Sequence, residues 1–281
     1  MSRRRITAVL TAAIALAACQ GPGPDRRPTS SSQSTLLPSV NVGVGTDIPG
    51  LGLLNPDTHD RRGFDVDLYR WLGNNTEPRF VPVEVDVLIA DRVNALALGR
   101  VQLVVHTFSM TDERRGKIGF AGPYLVSQQG FLVRDGEGFE VTSMEDLTGK
   151  TVCSQAGSTS YNQLTTGALK NKVTTTSEVG TRQCVDRLLR KEVDAASTDQ
   201  IILRGFASQD PRLKVAKWAF GAKERYGVGL PKGDRALCEQ ITQGIKDFII
   251  NGAWDQFFRA NFGDLSSEGY RPNPNQLDPC P

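Results

Sequence analysis

Three short segments carry side chains able to hold a small zwitterion. Thr107-Phe108-Ser109-Met110-Thr111-Asp112-Glu113-Arg114 alternates hydroxyls and then places an arginine about a helical turn later. A guanidinium meets a carboxylate through two parallel hydrogen bonds, and hydroxyls satisfy the lone pairs that remain. The bland reading makes Thr111 a helix cap and Arg114 or Arg115 a solvated helix-start charge. Gln155-Ala156-Gly157-Ser158-Thr159-Ser160 follows a short apolar run and opens a helix. The free N–H groups and positive dipole end of a helix start suit an anion, and Gly157 allows backbone to approach it closely. The bland reading here is a plain Ser/Thr cap. No lysine stands in the P-loop position, which argues against a nucleotide phosphate. Ser197-Thr198-Asp199 supplies a carboxylate for an ammonium group, or else an Asp cap for a helix from Gln200. Together the segments offer an arginine and a helix start for an anion and an aspartate for a cation. A free α-amino acid requires that set.

These groups need a scaffold. Val40, Val42 and Val44 alternate as a strand. Phe64, Leu68, Trp71 and Leu72 share a helical face. Strands are expected at 80–85, 101–105, 151–154, 193–196, 213–216 and 226–230. Helices are expected around Val93–Ala97, Cys184–Leu189 and Ile201–Phe206, with a largely helical stretch over 235–262. Such alternation predicts an α/β fold with mainly parallel sheets. An internal echo suggests two domains. Residues 95–109 and 188–199 both run helix, turn, strand, then polar residues. Ligands bind past the carboxyl ends of strands in open α/β sheets, so two such edges facing each other make a cleft.

The N-terminus reads as an export signal. Arg3, Arg4 and Arg5 precede Ile6–Ala18, thirteen apolar or uncharged residues. A membrane-spanning helix needs about 20, so residues 1–18 read as a secretory signal. Leu16-Ala17-Ala18-Cys19 fits a lipoprotein cleavage site, with Cys19 acylated and anchoring the chain to the membrane. Residues 19–38 read as the lipidated cysteine and a flexible tether. The whole chain has 33 basic and 31 acidic residues. Without the three signal-peptide arginines, 30 basic residues face 31 acidic ones, a net charge of −1. That gives no reason to propose a nucleic-acid partner. Cys153, Cys184, Cys238 and Cys280 remain, an even number in an exported chain, which suggests disulfides. Four cysteines allow three pairings. No zinc site is expected, since no C-x-x-C spacing occurs and the histidines are only two, His59 and His106.

From about Val40 to Phe262 the chain resembles the family 3 periplasmic amino-acid-binding proteins. The matching pieces are Gly63-Phe64-Asp65-Val66-Asp67-Leu68, Thr107-x-Ser109-x-Thr111-x-x-Arg114, Phe120-Ala121-Gly122-Pro123-Tyr124, Gly157-Ser158-Thr159 and Asp194-Ala195-Ala196-x-x-Asp199. Asp47-x-Pro49-Gly50-Leu51-Gly52, with Cys153 and Cys184, is similar to the actinobacterial glutamate-type branch. The resemblance implies a two-lobed fold with a hinge of two crossings and a ligand cleft between the lobes. Lobe 1 would be 39–133 plus 234–281 and lobe 2 would be 134–233, with crossings near Val133 and Gly229–Gly233. It implies that the ligand carboxylate meets Arg114, Ser109 and the helix start at Ser158 and Thr159, with Thr107 nearby. The ammonium would meet Asp199, with Thr107 or Ser109 as further acceptors. Arg61, Arg62 and Gln129 are candidates to face the ligand side chain. The implied ligand is an acidic amino acid or its amide, glutamate first. The partner is an ABC permease, the receptor a monomer, and no cofactor is needed. Cys153, ending a strand, is expected to pair with Cys184 on the helix packed against it, leaving Cys238 for Cys280.

Two other functions share this fold. A cyclohexadienyl-dehydratase-like enzyme would use Glu113 or Glu192 as an acid. A sensor subunit would present the ligand to a membrane receptor. His59 reads as a solvated loop residue and His106 as structural; without a G-x-S-x-G turn a serine triad is not expected.

Overall fold

The first crossing strand explains the architecture. Gly119–Arg134 is one 16-residue strand, almost wholly buried because both faces are covered, with Ser127, Gln128 and Gln129 breaking its apolar run at the centre. The structure, a computed structural model, describes residues 37–281. The signal segment, Cys19 and the tether up to residue 36 lie outside the described residues.

In chain order the strands are β1 (Ser39–Val44), β2 (Asp47–Ile48), β3 (Gly52–Leu54), β4 (Arg61–Arg62), β5 (Val81–Asp86), β6 (Leu103–Val105), β7 (Gly119–Arg134), β8 (Thr151–Gln155), β9 (Thr174–Glu178), β10 (Ala195–Asp199), β11 (Leu213–Val215) and β12 (Phe220–Leu230). The helices are α1 (Phe64–Asn75), α2 (Arg92–Ala97), α3 (Asp112–Arg115), α4 (Thr159–Thr165), α5 (Thr181–Leu189), α6 (Gln200–Ala207), α7 (Arg235–Ile250) and α8 (Ala253–Phe262). Nine strands form one sheet in the order β5-β1-β6-β12-β7-β10-β8-β9, with β11 added on β7. Strands β2, β3 and β4 form a small sheet apart.

The sheet is parallel only in its wings. β1 runs parallel to β5 and β6, and β8 runs parallel to β10 and β9. The central strands β7 and β12 are antiparallel to their neighbours. The expectation of a mainly parallel sheet is corrected at the centre for a topological reason. A chain that leaves one wing and returns must cross twice, in opposite directions. Along β7 the neighbours change: positions 119–129 pair with β12, 129–132 pair with β10, and 132–134 pair with β11. β12 stays paired with β7 from Phe220 to Leu230, with a register irregularity between Phe220 and Glu224.

Each wing has its own apolar packing. Phe64 of α1 lies 5.3 to 6.5 Å from the rings of Tyr124, Phe248, Trp254 and Phe258. Trp254 Nε1 donates to Tyr124 O at 2.7 Å, so the one polar atom of that ring is satisfied. Gly63, at φ 132°, starts α1 where a Cβ would lie 2.1 Å from Leu51 O. In the other wing Phe131, Trp218 and Phe220 stack. Cys153 on β8 is bonded to Cys184 on α5, and Cys238 on α7 to Cys280. These are the expected pairings. The tail is also held by Asp278, whose N–H donates to Gly122 O at 2.8 Å and whose carboxylate pairs with Arg115 and Arg225.

Candidate ligand-binding site

The first wing contributes a strained, well-supported turn. Thr107 follows β6 with φ 43°, a conformation that β-branched residues rarely adopt. Asp65 from the start of α1 holds it there. Its Oδ2 accepts from Thr107 N at 2.9 Å, and its Oδ1 accepts from Tyr124 OH at 2.8 Å. Burial raises the Asp65 carboxyl to about 6 despite these donors. Next comes Phe108, which has guanidinium groups near its ring: Arg92 at 4.3 Å and Arg114 at 5.1 Å. Arg92 donates to the carbonyls of Ile89, His106 and Thr107 at 2.8 to 2.9 Å. Burial, and then the charge of Arg114, pull it well below its ordinary value.

Arg114 combines features of both readings of its segment. Thr111 does cap α3, accepting from Arg114 N at 3.3 Å. Yet the guanidinium is buried rather than solvated. It donates to Ser109 O at 2.9 Å and, across the cleft, to Gly157 O at 3.0 Å. A guanidinium has five N–H donors, so others remain free for a ligand. Burial lowers its pKa, against the opposing charges of Glu224, Asp199 and Glu113.

The second wing supplies two helix starts. Ser158 Oγ accepts from Tyr161 N at 3.0 Å and lies 3.3 Å from Ser154 Oγ, so its hydroxyl is committed to capping α4. Thr159 follows as the first residue of α4, half-buried. Asp199 stands at the corresponding place before α6 but makes no side-chain cap. Ser127 of β7 serves α6 instead, accepting from Ile201 N at 3.3 Å. Asp199 Oδ2 accepts from Tyr226 OH, while Oδ1 is buried without a partner. Burial, then the charge of Glu224, push this carboxyl well above its ordinary value.

The wings meet at three glycines of the second. An added Cβ at Gly205 would lie 2.1 Å from Pro49 O, at Gly180 2.7 Å from Asp47 Oδ2, and at Gly157 2.7 Å from Ala90 Cα. Asp47 Oδ2 also accepts from Arg182 N at 3.5 Å in the first turn of α5.

Arg114 thus reaches the Gly157 carbonyl beside Ser158 and Thr159, and Tyr226 joins Asp199 to the bridge at Ser109, two residues from Thr107. Other candidates lie elsewhere. Arg61 donates to Gly45 O at 2.6 Å and pairs with Glu84 and Asp86, and Arg62 is exposed. Glu113 pairs with Lys117 on an exposed surface, and Glu192 pairs with Arg187 and Arg190, so neither is placed to act as a cleft acid. His106 is buried, and burial, then Arg92, hold its pKa down to about 3; neither ring nitrogen has a hydrogen-bond partner. Sequence reasoning missed Arg92, Tyr226, Glu224 and Asp65 as site-building residues. Only Asp65 stood in a quoted motif, and a lone arginine or tyrosine carries no local signal of burial.

The description "Bacterial extracellular solute-binding proteins, family 3" matches residues 40–264. The chain belongs to this family. It is 30% identical to the glutamate-binding protein GluB of Corynebacterium glutamicum, over 81% of this chain and 80% of that protein. It is 28% identical to the ABC transporter glutamine-binding protein GlnH of Bacillus subtilis, over 89% and 93%. Among solved structures it is similar to an ancestral arginine-binding protein bound to arginine, with TM-score 0.73, 25% identity, and coverage of 80% of this chain and 98% of that one. The family places the protein outside the cytoplasm, as a two-lobed solute receptor.

Proposed function

We propose that this protein captures a free α-amino acid, acidic or its amide, by closing two lobes around it, and delivers it to an ABC importer. The observation that carries this reading is the placement of opposite charges on facing walls. Arg114 keeps free N–H donors on one wall, and Asp199 keeps a free oxygen on the other. The carboxylate would meet Arg114, Ser109 and the backbone at Thr159, with Ser158 holding that turn in shape. The ammonium would meet Asp199, with Thr107 beside it. The choice of acidic or amide ligands is supported by the names of GluB and GlnH.

Lobe 1 would comprise residues 39–133 and 234–281 and lobe 2 residues 134–233, with the two crossings on β7 near Val133 and after β12 near Gly229–Gly233. Contacts across the cleft then exist only in the closed form, so a ligand touching both lobes stabilises it. The receptor would act as a monomer, tied to the outer face of the membrane through Cys19, and would not turn its ligand over.

A calorimetric screen of the twenty amino acids tests this. Tight binding of glutamate, glutamine, aspartate or asparagine, with no turnover, is expected. Tight binding of only arginine or a branched-chain amino acid would refute the assigned ligand class, and turnover of arogenate or prephenate would refute the receptor role.

A further inference from the structure

Gln129 lies on β7 at the crossing, directly opposite Asp199 in the antiparallel register with β10. It is 1% exposed. Its amide nitrogen donates to Glu224 Oε1 of β12 at 2.7 Å, and its amide oxygen has no hydrogen-bond partner. This orientation follows from chemistry: an ionised carboxylate only accepts, so the NH2 must face Glu224 and the oxygen must face away. The residue therefore offers the cleft an acceptor. It is unsuited to a ligand carboxylate, which is also an acceptor.

Buried polar atoms without partners are rare and call for an explanation. Three of them here are Gln129 Oε1, Asp199 Oδ1 and Thr107 Oγ1. The first two sit on paired strand positions. Thr107 is brought alongside because Phe108 O accepts from Gly227 N at 3.0 Å and Ser109 bridges to Tyr226, whose hydroxyl reaches Asp199. A primary ammonium has three N–H donors and no acceptor, which matches this set. Glu224 adds negative charge close enough to influence both Asp199 and Arg114.

We propose that the Gln129–Glu224 pair is a second reader of the ligand ammonium, beside Asp199, and that it makes the site selective for primary amino acids over N-alkylated ones. The inference rests on the amino-acid reading of the cleft. Gln129 would touch the ligand; Glu224 would act as a positioning residue that fixes the amide orientation. Because Gln129 stands where β10 joins β7 and Glu224 lies beside it on the other central strand, the ammonium would be read at the crossing itself.

The test compares the tightest-binding of the twenty amino acids with its α-N-methyl derivative by calorimetry. The unsubstituted protein should bind the N-methyl form at least about 100-fold more weakly, since it loses a charged hydrogen bond and adds bulk. Gln129→Met keeps the side-chain length and removes the oxygen. It should weaken the primary amino acid about 10- to 100-fold and narrow the ratio by at least about tenfold, with the ligand-free melting temperature little changed. Glu224→Gln frees the amide to turn over and should narrow the ratio less, by about threefold. An unchanged ratio in both variants, whatever the absolute affinity, overturns the proposal, because loss through packing alone would weaken both ligands alike. If Gln129→Met does not fold, the ratio read on Glu224→Gln decides. Failure of the unsubstituted protein to bind any of the twenty overturns the amino-acid reading and this proposal with it.

Discussion

Strands β8 and β10 lie side by side, run parallel, and each leads into a helix. The two helix starts use their polar residues in opposite ways. At the end of β8, Ser158 turns back and caps its own helix. At the end of β10, Asp199 leaves its helix uncapped and receives the Tyr226 hydroxyl. The difference comes from the third strand: β7 passes close to α6 and lends it Ser127 as a cap. A carboxylate relieved of local duty is then held in a buried place where its charge is costly unless a cation arrives. An N-cap residue type thus caps only where the surrounding structure supplies no substitute.

The largest effect that would break this contrast lies at the charged groups. Asp199→Ala and Arg114→Ala should each cost about 2–5 kcal/mol of ligand binding, or roughly 30- to several-thousand-fold. Ligand-free melting should not fall, since each change removes a buried charge. Calorimetry and thermal melts separate the cases; wild-type affinity with a lowered melting point would leave Asp199 only its structural bond to Tyr226.

A smaller loss is expected at the seam. Gly205 sits inside α6, where alanine favours the helix by about 1 kcal/mol, but its Cβ would collide with Pro49 O across the cleft. Gly205→Ala should therefore bind at least about tenfold more weakly while melting at or above the wild-type temperature without ligand. A fall in that melting temperature would show that the clash damages the fold instead of opposing closure.

The two starts should also differ in their response to pH. Asp199 is raised in the free protein by burial and Glu224, with the Tyr226 hydroxyl, Arg114 and Arg92 opposing. A ligand ammonium beside it lowers it again, so binding expels a proton below the free-state pKa, and affinity falls as the solution is acidified. Titrations in buffers of different ionisation enthalpy should show this release in wild type and in Ser158→Ala, but not in Asp199→Asn.

The smallest effects concern the caps themselves. Ser158→Ala and Ser127→Ala should each lower stability by about 1 kcal/mol, read from denaturant midpoints. They should diverge in binding. Ser158→Ala should stay within about threefold of wild type, whereas Ser127→Ala should weaken binding further, because Asp199 is then drawn to the bare start of α6. Equal affinities would remove Ser127 from the account.

Much of the fold was legible where periodicity is strong. The α1 pattern of Phe64, Leu68 and Leu72, the alternating valines of β1 and the helical C-terminal stretch all appear where expected. β7 was not read as one strand, because a strand buried on both faces shows no alternation and its Gly122-Pro123 imitates a turn. Counting cysteines establishes only parity; the pairing Cys153–Cys184 and Cys238–Cys280 follows from a strand and the helix packed against it.

The residue types of the site were fixed by the sequence: hydroxyls and an arginine after β6, a helix start after β8, an aspartate after β10. Their local spacing is enough to nominate them, since caps, turns and charges act within a few residues. The tertiary structure alone decided which of them stayed free. It buried Arg114 against Phe108, took Arg61 into ion pairs with Glu84 and Asp86, and turned the Gln129 amide toward Glu224. It also let Ser127 cap α6 from 74 residues away. Whether a polar group is spent or available depends on partners distant in sequence, and only folding brings those within hydrogen-bonding reach.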